Sequence, residues 1–376
     1  MAGIYIHIPF CKQKCHYCNF YTVISQKYRH DFIHVLLKEL EQRKDYLGGQ
    51  PINTIYLGGG TPSLLSVNEI VLLVDKIKSL FPVNEKAEIT LEANPDDLTR
   101  EKIESVKKNT PVNRLSIGVQ SFHNEDLDYL NRVHDGAQAI KVIENSLHAG
   151  FNNITIDLIY GIPTLTEEKW LKNLALFFAF GIPHLSSYAL TVEKKTVLHS
   201  LIAKNRMSAV DEEQTVRHFE LLLKETNKHG FNHYEISNFA REGFYSKHNS
   251  IYWLGGHYLG VGPSAHSFNG SSRQWNVANM KQYMAFEQTG TAILEKEVLT
   301  KDQQFNEYVM TSLRTSWGCD TEHIENVFGS NYTRHFKEHI TTFVNESRVL
   351  KNGSVYTLTN AGKLFADGIA AALFRS

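Results

Sequence analysis

Eleven residues near the start of the chain, Phe10 to Phe20 (FCKQKCHYCNF), hold three of its four cysteines, at Cys11, Cys15 and Cys18. The fourth, Cys319, lies far along the sequence. A C-x3-C-x2-C run puts three thiolates on one tight loop, close enough to grip a single metal centre. An iron–sulfur cubane wants four ligands, so three leave one iron open to a group that is not protein. An open metal position is a place for chemistry, as it is on zinc. Two plainer uses fit less well. Disulfides need an oxidising compartment, and no signal peptide is read ahead of the segment. Zinc could take the three cysteines with His7 or His16, but its usual spacing is two short Cys/His pairs, and the second pair is missing.

The loop must be held by something, and the flanking pattern says what. Gly3 to Pro9 alternates Ile4, Ile6 and Ile8 with Tyr5 and His7, which predicts a strand feeding the loop. Helical periodicity over Asp31 to Leu47 follows, stopped by Gly48-Gly49. Thr54 to Leu57 predicts a second strand that breaks into GGGTPS (58–63), and Ser66-x-x-Glu69 is a capping box for the next helix. Strands are then expected at 87–91, 114–119, 154–159 and 185–190, with helices between them near 99, at 124–131, at 136–149 and at 166–180. Strands alternating with helices mean parallel βαβ units, and six in succession predict an α/β fold with a partial (β/α)6 barrel. Glu92, Gln120 and Asp157 each fall at or near the C-terminal end of a strand, the face on which such barrels build their sites.

Composition narrows the class of function. The 376 residues are 42% hydrophobic and 21% charged, ordinary values for a globular protein, and the formal net charge is −1. No overall basic field recruits nucleic acid or anionic lipid. The longest greasy stretch, ALFFAFGI at 175–182, is too short for a membrane span. Few cysteines, reduced and clustered, suit the cytoplasm.

Beyond residue 200 the alternation fades, and three regions are read: 1–200 as the barrel, 201–299 as an extension, and 300–376 as a small C-terminal unit. In the extension, 211–229 reads as a helix, and 246–268, rich in Gly, aromatics and His, reads as an ordered loop over the barrel mouth. The C-terminal unit shows helices near 302–316, 321–328 and 331–345, a hairpin about Asn352-Gly353, and a last helix over 360–374. Helices followed by a hairpin are winged-helix-like. Apart from Arg348 and Lys351 the hairpin is nearly uncharged, so packing or partner docking suits it better than reading DNA.

Taken together, IHIPFC, GGGTPS, EANPDD, GVQSF, LNRVH and DLIYGIP resemble the radical S-adenosylmethionine (SAM) family, and within it the oxygen-independent coproporphyrinogen III oxidase group. The resemblance implies a 4Fe–4S cluster on Cys11, Cys15 and Cys18, with SAM chelating the open iron, its sulfonium bond cleaved by an electron from the cluster. It also implies SAM contacts from Tyr5, Tyr17, Gly59, Gly60, Thr61, Glu92, Gln120, Arg132, Asp157 and Ala189. The glycines would let the backbone approach the amino group, and Arg132 offers a fork to the carboxylate. The oxidase itself carries a further cysteine two residues after the third, where this chain has Phe20. The heme-chaperone branch of the group carries HNxxYW, present here as His248 to Trp253. That likeness implies heme as ligand, with His248 the natural axial candidate and His257 and His266 its rivals, and an acceptor protein and an electron donor, both unidentified, as partners; a homodimer is left open. For any one polar residue a packing role competes evenly with binding; the set at strand ends favours binding. Cys319 reads as a small buried hydrophobe.

Overall fold

The computed structural model describes residues 1–285 and 294–375. Six strands, β1 (Ala2–Ile8), β2 (Ile52–Gly59), β3 (Val83–Ala93), β4 (Arg114–Gln120), β5 (Ile154–Tyr160) and β6 (His184–Ala189), lie side by side in chain order, all parallel. Each is separated from the next by helix, as the alternation predicts. Ile4, Ile6 and Ile8 are fully buried, and they share one core with Phe32, Val35 and Leu36 of the helix Arg29–Gln42 and with Ile70, Leu73 and Val74 of the helix Val67–Leu80. The Ser66–Glu69 capping box is present at the start of the latter.

The sheet does not stop at six strands. β7 (Asn232–Glu235) and β8 (Asn238–Ala240) extend it antiparallel beyond β6. β9 (His257–Val261) adds in parallel to β1, followed by antiparallel β10 (His266–Phe268), β11 (Ser272–Asn276) and β12 (Leu294–Val298). Among the described residues the sheet therefore has twelve strands. A buried ion pair locks the added strands to the barrel. Glu39 accepts from Arg43 at 3.1 Å, Asn276 at 2.6 Å, Tyr283 at 2.6 Å and Gly262 N at 2.9 Å. Arg43 in turn donates to Gly260 O and Ser267. With its lone pairs filled, such a pair offsets the desolvation penalty that makes buried charges costly.

This corrects the expected loop at 246–268. The segment is a helix, Lys247–Trp253, capped by Ser246, and then β9 and β10. Its helix packs against β1 and β2 near their N-terminal ends, opposite the mouth. Glycine content misled the reading. Gly260 is needed because a Cβ there would meet His266 O at 2.1 Å, a close strand approach and not a mobile loop.

The C-terminal unit has helices Lys301–Leu313, Thr321–Phe328 and Ser330–Asn345, and a small sheet of β13 (Cys319–Asp320), β14 (Val349–Asn352) and β15 (Val355–Leu358). Its own core gathers Phe305, Val309, Ile324, Phe336, Ile340 and Cys319. The expected last helix is two short ones, Asn360–Lys363 and Ala366–Ala372, broken at Leu364-Phe365. Backbone bonds from Ile236 N to Arg314 O and from Ser316 N to Tyr234 O join this unit to β7 and its turn. Among the described residues no helix is long and apolar enough to cross a membrane.

Candidate functional site

At the C-terminal ends of the parallel strands lies a cavity of about 1380 Å³, lined by the cysteine loop, by strand ends β2 to β6, and by residues 363–368. Cys11, Cys15 and Cys18 are free thiols on its wall. The loop carrying them is closed by Val23 N to Pro9 O (2.8 Å) and Cys11 N to Val23 O (3.0 Å). It is then tied down from three sides. Lys12 bridges to Asp96 and Asp97, Asn131 donates to Lys14 O at 2.8 Å, and His16 N donates to Leu130 O at 3.1 Å. The LNRVH and EANPDD motifs thus hold the loop in place. Asn131 does so from a left-handed backbone (φ 58°), which asparagine tolerates.

Burial pushes the Cys11 thiol up to about 11 and raises Cys18 as well, while Thr61 donates to the Cys11 sulfur at 3.4 Å and Arg132 to the Cys15 sulfur at 3.3 Å. Thiolates in such a place need a metal to take up their charge. Among the described residues no three His, Cys, Asp or Glu side chains close on one ion. A cubane bonds one thiolate to each of three irons, so a more open triad suits it better than a zinc shell.

Gly59 and Gly60 line the cavity, and the fold itself also demands glycine at both positions. A Cβ on Gly59 (φ +114°) would meet the His7 ring at 2.6 Å, and one on Gly60 would meet the Pro9 backbone at 2.7 Å. The glycines are required by the close approach of β1 and β2. Thr61 accepts from Asn94, whose Oδ1 takes a 2.7 Å bond from Arg132. Arg132 also donates to Gly118 O at 2.8 Å, and its buried Nε has no partner among the described residues. A guanidinium with one orphaned donor beside a cavity fits an anionic ligand group. Asn94 is the residue that motif reading missed; its place between two polar strand ends was the available signal.

Gln120, Asp157, Tyr17 and Ala189 also reach the cavity wall. Gln120 sits at positive φ (68°) beside a register shift in β4, backbone strain of a kind that gathers at binding sites. Glu92 accepts from Tyr56 OH at 2.7 Å and Gly59 N at 3.0 Å. Burial, then the nearby Asp157, raises Glu92 to about 7; burial raises Asp157 to about 6. Both carboxyls therefore ionise near neutrality. Tyr5 is the exception to the gathering. It does not line the cavity: its hydroxyl meets His7 Nδ1 at 3.1 Å and its ring stacks on Tyr56.

Residues 5–177 match the Radical SAM superfamily. The chain is 33% identical to the heme chaperone HemW of Bacillus subtilis (strain 168), covering 99% of each. It is 34% identical to the heme chaperone HemW of Lactococcus lactis subsp. lactis (strain IL1403), covering 95% of this chain and 93% of that one. This chain belongs to the HemW family of radical SAM proteins. Its backbone also matches the solved structure of coproporphyrinogen III oxidase (HemN) from Escherichia coli, a radical SAM enzyme, with a TM-score of 0.85. There the identity is 22%, over 99% of this chain and 90% of that one, so the likeness is one of fold.

Three histidines and Phe20 were singled out by the family resemblance, and the geometry separates them. His248 is 1% exposed. Its Nδ1 is bonded to Thr54 Oγ1 at 2.7 Å and its Nε2 to Tyr252 OH at 2.9 Å, with Tyr56 stacked on the ring at 4.9 Å. An axial ligand needs a free ring nitrogen and an approach for the iron, and His248 has neither. In the structure the ring is instead packed at the strand N-termini, with both nitrogens bonded within the chain. His257 bonds Gln50 and His266 stacks on Trp275; neither lines the cavity. Phe20 does line it, and is 67% exposed.

Proposed function

We propose that this protein is a heme chaperone that binds heme and passes it to an acceptor protein, and that it carries a 4Fe–4S cluster on Cys11, Cys15 and Cys18 with an exchangeable SAM. The observation that carries the reading is identity above 30% along nearly the whole chain to proteins named for that activity. Room for a second ligand supports it: about 1380 Å³ exceeds the roughly 300–1,000 Å³ typical of a site for one small molecule. Phe20, an apolar ring at the wall beside the thiols, suits a macrocycle face and offers no further sulfur.

When bound, cluster and SAM together supply one-electron chemistry at a sulfonium centre. The residues of this chain orient that pair. Arg132 would offer its guanidinium to the SAM carboxylate, and Glu92 and Asp157 would accept from the ammonium and ribose hydroxyls. Gly59, Gly60 and Thr61 present backbone and hydroxyl groups to the amino-acid end, with Tyr17, Gln120 and Ala189 completing the wall; Tyr5 braces it from beneath. The reading calls for a cytoplasmic acceptor protein and an electron donor.

The pH sign follows from Glu92. Its raised value keeps it neutral below about 7, so SAM affinity is expected to rise as pH increases through 7 and then level. Equilibrium dialysis of SAM from pH 5.5 to 8.5 checks this. The E92Q variant should bind more weakly and lose the step near 7, keeping only the rise through about 6 that belongs to Asp157.

Heme titration of the anaerobically reconstituted protein tests the function. The expected result is a saturable Soret band with no decarboxylation of coproporphyrinogen III. Robust conversion of its propionates to vinyl groups overturns the chaperone reading in favour of the oxidase.

A further inference from the structure

The cavity has a second wall that the cluster and SAM do not use. Lys363, Leu364 and Phe365, at the break between the two last helices, line it from the C-terminal unit, as do Tyr188, Val216 and Phe219 from the barrel side. Most of this wall is apolar. Leu364 and Phe365 are exposed, and the Arg348 guanidinium lies over the Phe365 ring at 4.5 Å. The charged side chains of the wall include Arg314, Asp367 and Lys363.

Lys363 is half-buried, and its one hydrogen bond runs to His233 Nδ1 at 2.8 Å. His233 Nε2 lies 3.1 Å from Ile236 O and donates to it, so Nδ1 is the acceptor and the ring is neutral. Burial lowers His233 to about 3, which keeps it so. Among the described residues no carboxylate lies within ion-pair distance of Lys363. Its neighbour in the wall, Arg314, is already matched by Asp367. Burial without a counter-charge lowers Lys363 to about 8, still charged at neutral pH. A partly desolvated cation without an anion is a cost the fold carries for a reason outside itself. Arg132, on the cluster side, serves the SAM carboxylate, so that group does not account for Lys363.

We infer that the outer half of the cavity is a tetrapyrrole site in which Lys363 receives a propionate carboxylate while Phe365, Tyr188 and Phe219 line the space for the macrocycle. The inference rests on the proposed heme function and names the chemistry of recognition: a flat apolar ring carrying carboxylates, held across the barrel and the C-terminal unit. It gives that unit a part in the site.

The test is a Soret titration of the full, cluster-reconstituted chain against heme and against heme dimethyl ester, which lacks the carboxylate charges. K363M should bind heme about tenfold more weakly, the value of one charge-assisted hydrogen bond. K363R should bind as wild type does, and the ester should bind wild type and K363M alike. The K363M melting temperature should be at or above wild type, since the variant removes an unpaired cation. If K363M binds heme as tightly as wild type, or weakens heme and ester equally, the Lys363 assignment is overturned. If wild-type protein shows no heme-dependent Soret band, the heme function itself falls, and the assignment with it.

Discussion

Replacing Cys11, Cys15 and Cys18 together by alanine is expected to abolish cluster loading. After anaerobic reconstitution, iron and sulfide should fall to background, and the visible charge-transfer absorption should vanish. The fold should survive. Backbone bonds to Val23 and Leu130, the Asn131 side chain and the Lys12 bridge hold the loop, and none of them involves a sulfur. Burial raises Cys11 and Cys18, so at neutral pH without metal both are thiols, and the iron must displace their protons. Loading of the wild type should accordingly strengthen with rising pH. The melting temperature of the metal-free variant should equal or exceed that of metal-free wild type. Stoichiometric iron retained by the triple variant would sink the assignment of these ligands.

The second large effect is on stability. His248→Ala is expected to lower unfolding free energy by about 2–4 kcal/mol, through a cavity in the barrel and two hydrogen-bonding hydroxyls left without their partner. Those hydroxyls are on Thr54 and Tyr252, and the lost ring is the one stacked on Tyr56. Heme affinity should be unchanged. Burial lowers His248 to about 3, so the unfolded chain, with an ordinary value near 6.5, binds the proton more readily. Wild-type stability must then rise with pH over the window from about 3 to 6.5, and part of that slope belongs to His248. Urea unfolding at pH 5 and pH 7 separates the roles. The variant should lose less stability than wild type on moving to pH 5. A large drop in heme affinity with little change in stability would restore His248 as a ligand.

The legible parts of this fold were those in which a local pattern has a local consequence. Ile4, Ile6 and Ile8 alternate, so β1 follows; Ser66 and Glu69 cap a helix that begins beside them. The 246–268 segment was not legible because its glycines and histidines look like loop composition. What makes Gly260 a strand residue is the proximity of His266 O, and what makes His248 a plug is Thr54, almost two hundred residues away. Asn94 was missed for a similar reason. Its value lies in joining Thr61 to Arg132, and neither contact leaves a mark in the spacing of EANPDD.

By itself the sequence determined the cysteine loop, the order of the six parallel strands, and the acids and amides at their ends. Thiol spacing, hydrophobic period and strand direction are properties of contiguous residues. Only the tertiary structure decided which of the 18 histidines are buried and bonded, that the two glycines serve the β1–β2 contact, and that Lys363 lines the cavity. Those outcomes depend on packing between residues far apart in the chain, where burial and the presence or absence of a partner set both charge and accessibility.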